Sequence, residues 1–229
     1  MASEFHISFD LDGTLIDSLP LMRSSWENVC NEFSLKIGWE NYRANIGLPF
    51  GDICRNLGLE DLSEDIAKVY FDYNKDNINQ IRLNLGVLEC LQQIRNDNIS
   101  WSIITSKPKY TTLDIMDRFD FKPACLICSD DVIKGKPYPE AAHKLKSRLP
   151  DLPLGNTFYV GDTVSDHSFA INSGFKFVEF SDQQFPDDEL GDNRKIGASD
   201  LLVNPRKIFY DMVKVVAYVK SLSDTTRSA

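Results

Sequence analysis

The sequence predicts an α/β fold: a doubly wound parallel sheet with a small helical domain inserted after its first strand. Three observations lead there. Short apolar runs recur along the chain, and each ends at a polar or acidic loop. Between them lie segments whose apolar residues repeat at helical spacing. Residues 19–83 break that alternation and read as helices alone. Strands alternating with helices argue for parallel pairing, because each crossover must return the chain to the same end of the sheet.

The elements follow in order. Phe5–Phe9 alternates apolar and polar residues and meets Asp10, so it reads as a first strand. Residues 21–33, 39–45, 51–57 and 63–77 read as helices of the insert. Val87–Asn96 carries Leu88, Leu91 and Ile94 on one helical face. Trp101–Ile104 is a second strand, and residues 112–119 a helix. Cys125–Cys128 is a third strand, residues 139–149 a helix, Thr157–Val160 a fourth strand and Phe175–Phe180 a fifth. Ser181–Ala198 is polar and acidic and reads as a surface loop. Ile208, Met212, Val215, Val216, Val219 and Leu222 give a last apolar stripe at helical spacing. The expected division is a core domain of residues 1–18 and 84–229 and a cap of residues 19–83.

Composition narrows the function classes. The chain has 229 residues, 42% hydrophobic and 26% charged, which suits a globular protein with its own core. A net charge of −9 repels nucleic acid and anionic membranes, so neither is an expected partner. Five scattered cysteines do not form a disulfide framework and fit a reducing compartment. Cys125 and Cys128 form a C-x-x-C with no second pair to complete a zinc site, and read as core residues. The start of the chain lacks the marks of a signal peptide, and no apolar run reaches membrane-span length, so the cytoplasm is the default location.

Four clusters carry chemistry, and each falls just after an expected strand, where the loops of a parallel sheet converge on one crevice. In Asp10-Leu11-Asp12-Gly13-Thr14, one carboxylate can attack phosphorus while the other protonates the leaving group and later deprotonates water. Gly13 would let the backbone come close to a phosphate, although Asp-Gly is also a common turn pair. Thr105-Ser106-Lys107 offers a hydroxyl and backbone N–H groups to an anion, although Ser and Thr also cap helices. In Lys136-Pro137-Tyr138-Pro139-Glu140, two prolines stiffen the loop behind an ammonium that could neutralise both nucleophile and phosphate. Asp162 and Asp166 stand four residues apart, at a strand end and in the following helix. Asp10, the backbone carbonyl of Asp12, and Asp162 would suit Mg²⁺, with Asp166 as a further ligand or an orienting group. Each cluster alone has an ordinary reading as a turn, a cap or a solvated charge. Their common edge and chain order argue against that reading for the set.

With those residues in view, the sequence resembles the haloacid dehalogenase-like hydrolases, in the branch similar to phosphoglycolate phosphatases and β-phosphoglucomutases. Residues 10–18 match the first family motif, Thr105 the second, residues 136–140 the third, and Gly161-Asp162 with Asp166 the fourth. The resemblance implies a Rossmann-like core, a helical cap and a phosphatase acting on a small phosphorylated metabolite through an aspartyl-phosphate. It implies Asp10 as nucleophile, Asp12 as acid and base, and Gly13, Thr105, Ser106 and Lys136 around the phosphoryl group. It further implies Mg²⁺ held by Asp10, Asp12, Asp162 and Asp166. The cap segment Arg43–Pro49 is expected to face the site, with Arg43 and Gly47 as specificity residues, although a surface position for Arg43 is an equal reading. Leu85 stands where relatives often carry proline, which concerns the hinge. His6, His143 and His167 fall outside the motifs and read as structural or exposed.

Alternatives within the fold are a sugar-phosphate mutase, a pyrophosphatase and a non-catalytic binding protein. Gly161-Asp162, where mutases tend to carry Glu-Asp, leans towards phosphatase, and Asp12 disfavours a dehalogenase. A phosphonate hydrolase would need a cap lysine in the site, and the candidates are Lys36, Lys68 and Lys75. Monomer and homodimer both fit.

Overall fold

The computed structural model describes residues 5–181 and 208–225. Six strands form one parallel sheet: β1 (His6–Phe9), β4 (Ser100–Ile104), β5 (Cys125–Ile127), β6 (Thr157–Gly161), β7 (Lys176–Phe180) and β8 (Ile208–Phe209). Their order is β5-β4-β1-β6-β7-β8, with every neighbouring pair parallel. The chain moves outward from β1 to β4 and β5 on one side, then to β6, β7 and β8 on the other. The order therefore reverses at β1, and a crevice opens beyond its carboxyl end.

Alternation along the central strand explains the layers. Phe5, Ile7 and Phe9 pack with Ile103, Phe158 and Val160 against helices α5 (Val87–Asn96), α6 (Lys109–Phe119) and α9 (Met212–Thr225). Ile104 and Tyr159 face the opposite side, where helices α7 (Glu140–Arg148) and α8 (Val164–Ser173) supply Leu145 and Phe169. On β1 itself the alternate positions are His6 and Ser8. The His6 ring bonds Ser100 Oγ and Ser102 Oγ, each at 2.9 Å, and Ser8 Oγ lies 2.7 Å from Ser102 Oγ. Burial pushes the His6 imidazole down to about 4. All these groups are satisfied side chain to side chain, so the strand stays buried without orphaned polar atoms.

Two short strands, β2 (Ile16–Asp17) and β3 (Arg82–Leu83), pair antiparallel where the chain leaves the sheet and where it returns. Between them lie helices α1 (Leu19–Glu32), α2 (Trp39–Arg43), α3 (Phe50–Asn56) and α4 (Ser63–Asp76). They bury their own cluster, in which Trp26 stacks on Tyr42 at 4.6 Å and Ile66 is fully enclosed. The expectation of helices alone over residues 19–83 is corrected at its end. Arg82 and Leu83 are a strand, held by pairing with Asp17 and Ile16, and two residues are too few to show a period.

Ile208 is also corrected. It belongs to β8, paired with Glu179, and the last helix begins at Met212. Its fit to the helical stripe was a coincidence of four-residue spacing. Beyond Ser181, the loop expected at residues 181–198 lies outside the described residues. Cys125 and Cys128 are free thiols buried in the core, as their residue types predict. Among the described residues, no helix is long and apolar enough to cross a membrane.

Candidate active site

Asp10 follows β1 at the reversal point, its backbone N–H fixed on the Val160 carbonyl of β6 at 2.8 Å. Its carboxylate is buried and receives Lys136 Nζ at 2.6 Å. The same ammonium donates to Asp166 Oδ1 at 2.6 Å and to the Tyr159 hydroxyl at 3.1 Å. Tyr159 in turn donates to the Ile104 carbonyl at 3.0 Å. Lys136 thus has three side-chain partners in the protein.

The electrostatics follow from that enclosure. Burial pushes the Asp10 carboxyl up to about 7, with Lys136 pulling against the rise. Burial also works against the charge on Lys136, but attraction from Asp10 and Asp166 outweighs it and holds the ammonium well above its ordinary value. Asp162 is raised well above the carboxylate range, first by burial and then by the nearby Asp166 and Asp10 charges.

Asp166 is set by the start of α8. Its backbone N–H donates to Thr163 Oγ1 at 3.1 Å, while its Oδ2 accepts the Thr163 N–H at 3.0 Å, a reciprocal capping box. One oxygen therefore anchors the helix and the other faces Lys136. Asp162 accepts from Thr14 Oγ1 at 2.8 Å. Asp10, Asp162 and Asp166 each offer an oxygen within 4.8 Å of the others. A set of hard carboxylate oxygens with one ammonium among them fits a divalent cation such as Mg²⁺.

Gly13 bears on this cluster directly. Its φ is +85°, and a Cβ there would lie 2.3 Å from Asp162 Oδ2. The residue that sequence reasoning assigned to phosphate is required, in this geometry, to make room for Asp162.

Asp12 stands apart from the carboxylate cluster. Its Oδ1 accepts from Ser18 Oγ at 2.7 Å and from Lys107 Nζ at 3.1 Å. Thr105 is buried at the end of β4, with its Oγ1 accepting the Lys107 N–H at 3.1 Å. Ser106 Oγ donates to the Gly47 carbonyl at 2.8 Å, tying the sheet edge to the loop between α2 and α3.

A cavity of about 520 Å³, mouth included, lies between the sheet edge and the inserted helices. Its floor presents Asp10, Asp12, Thr105, Ser106, Lys107 and Lys136. Gly47 lines it from the cap side. Arg43 is not among its lining residues; that guanidinium lies 3.5 Å from Glu40 on the same helix. Lys36, Lys68 and Lys75 do not line it either.

The structure thus brings together residues from four separate loops that sequence reasoning had grouped by strand-end position and by family motif. That reasoning missed Tyr159, which braces Lys136, and the hold of Ser18 and Lys107 on Asp12. For Tyr159 the available signal was a hydroxyl in the strand Thr157–Val160, on the face opposite Phe158 and Val160.

Fold and site define a hydrolase of the haloacid dehalogenase-like class. The family model for haloacid dehalogenase-like hydrolases matches residues 7–180, and the chain belongs to that family. Among curated relatives, pyrophosphatase PpaX of Oceanobacillus iheyensis is 29% identical over 70% of this chain and 75% of its own. A phosphoglycolate phosphatase of Pseudomonas fluorescens is 25% identical over 76% of this chain and 68% of its own. A solved structure titled as a putative phosphoglycolate phosphatase from Lactobacillus plantarum shares the fold, with a TM-score of 0.75 at 20% identity over 95% of this chain and 99% of that one.

Proposed function

We propose that this chain is a Mg²⁺-dependent phosphatase that hydrolyses a small phosphorylated metabolite through an aspartyl-phosphate. The observation that carries the reading is the buried Asp10–Lys136 contact at 2.6 Å, placed at the floor of a cavity that also holds Asp12 and Thr105. The similarity to a phosphoglycolate phosphatase and a pyrophosphatase supports the same chemistry, phosphoryl transfer to water.

The roles proposed rest on the family resemblance and are compatible with these positions. Asp10 is the nucleophile, and its carboxylate oxygen forms a bond to phosphorus as the bond to the leaving oxygen breaks. Asp12 protonates that oxygen, then takes a proton from the water that cleaves the aspartyl-phosphate. Ser18 and Lys107 hold its carboxylate in place. Lys136 keeps Asp10 oriented and offsets charge on the phosphoryl oxygens, with Tyr159 and Asp166 fixing the ammonium. Thr105 and the Ser106 N–H bind the phosphoryl group. Asp10, Asp162 and the Asp12 backbone carbonyl would hold the cation, with Asp166 as the group that orients Lys136. Bound Mg²⁺ supplies positive charge where two buried carboxylates and a phosphate meet. The inserted helices wall the cavity on the side facing the sheet edge.

The test is phosphate release from p-nitrophenyl phosphate and a panel of metabolite phosphates with Mg²⁺, beside Asp10→Asn. Mg²⁺-dependent release that the variant loses is expected. A folded, Mg²⁺-loaded protein that releases nothing refutes the reading.

A further inference from the structure

The cavity has two unlike halves, and the contrast bears on what leaves with the substrate's oxygen. Every charged residue that lines it comes from the sheet edge. Both cations there are already paired, Lys136 with Asp10 and Asp166 and Lys107 with Asp12. The cap wall facing them presents Tyr42, Leu48, Phe50, Tyr70 and Phe71. Phe50 lies 4.8 Å from the Tyr70 ring and 5.0 Å from the Phe71 ring, while Tyr42 and Tyr70 are 5.7 Å apart, so the rings form one continuous surface. Burial pushes the Tyr42 and Tyr70 phenols up, so neither contributes charge. Among the described residues, no lysine or arginine of the cap lines the cavity.

A second anionic group on the substrate would therefore have to leave water for an aromatic wall that offers no cation to pair with it, which is unfavourable. A neutral ring would gain apolar burial and edge or face contacts with the same wall. Resting on the phosphatase reading above, we propose that this site selects phosphomonoesters whose leaving group is neutral and carries an aromatic ring, and discriminates against substrates with a second anionic group.

The test matches leaving-group chemistry, so that only recognition differs. 2-Phenylethyl phosphate, 2-phosphoglycolate and glucose 6-phosphate all release a primary alcohol. The expected kcat/KM for 2-phenylethyl phosphate exceeds both others by at least roughly tenfold, the scale of one good ring contact. Phe50→Ala is expected to shrink that ratio. Leu48→Arg, at a partly exposed loop position that tolerates a long side chain, is expected to shift the ratio towards phosphoglycolate. Preference for phosphoglycolate or glucose 6-phosphate, in an enzyme whose turnover Asp10→Asn abolishes, overturns the inference and leaves the phosphatase reading intact. If no compound is turned over, calorimetric binding to Asp10→Asn decides. Tighter binding of 2-phenylethyl phosphate than of phosphoglycolate supports the inference, and equal or reversed affinity overturns it.

Discussion

Replacing Lys136 with methionine removes one charge and keeps most of the side-chain volume. The ammonium is buried, with Asp10 and Asp166 each at 2.6 Å and Tyr159 at 3.1 Å. Its loss leaves two carboxylates enclosed without their cation. Breaking a buried ion pair from one side costs about 3–5 kcal/mol, unless the remaining acids escape by taking up protons. That escape makes the effect depend on pH. Asp10 in the native protein is already raised to about 7. A carboxyl raised above its unfolded value binds more protons folded than unfolded, so stability is highest below the unfolded value of about 3.9 and falls as pH rises through the folded one. Without Lys136 the folded value climbs further, and the window of loss extends above pH 7. Urea unfolding in chelator at pH 6 and pH 9 is the assay. The expected deficit is about 3–5 kcal/mol at pH 9 and smaller at pH 6. A deficit below about 1 kcal/mol at pH 9, or one that does not change with pH, would refute the account of Lys136 as the charge balance of this cluster.

Two further perturbations test other parts of the site and its support. Gly13→Ala places a methyl 2.3 Å from Asp162 Oδ2 at a φ of +85°, so a loss of roughly 2 kcal/mol and weakened Mg²⁺ binding by calorimetry are expected; unchanged values on both would contradict the role given to this glycine. The His6 ring is held down at about 4 by burial against an ordinary 6.5, so the folded state binds fewer protons than the unfolded one below pH 6.5. Its stabilisation is complete above that pH and is lost as pH falls towards 4, by roughly 3 kcal/mol in all, and His6→Gln should remove this part of the acid sensitivity. Parallel stability profiles for the native protein and the variant between pH 7.5 and about 4 would show that His6 does not set it.

The sheet was legible because its strands obey two local rules. Each is a short apolar run, and each stops at a polar loop, as with Phe158-Tyr159-Val160 before Asp162. The site was legible for the same reason, since loops leaving one edge of the sheet bring Asp10, Thr105, Lys136 and Asp162 together whatever their sequence separation. What escaped depends on non-local pairing. The β2–β3 pair exists only because Ile16 meets Leu83 across the whole insert, and β8 only because Ile208 meets Glu179. Arg43 shows the limit from the other side. Its position in the cap segment was legible, and so was an i,i+3 pair with Glu40 on one helix, but its absence from the cavity lining depends on how α2 packs, which a linear pattern does not encode.

The same contrast explains how a chain with a net charge of −9 can receive a phosphate. At the sheet edge, opposing charges are paired at contact distance inside a low-dielectric enclosure, so Lys136 and Lys107 act locally where the overall field is repulsive. Farther out that field is screened over roughly 10 Å at ordinary salt, and it opposes approach rather than binding. The cap adds no charge of its own to the cavity wall. On the proposed reading, discrimination among phosphoesters rests on what the aromatic wall admits, while the chemistry rests on the paired charges below it. Substitutions in Phe50 or Leu48 should redistribute kcat/KM among substrates, whereas substitutions in Asp10 or Lys136 should lower it for all of them.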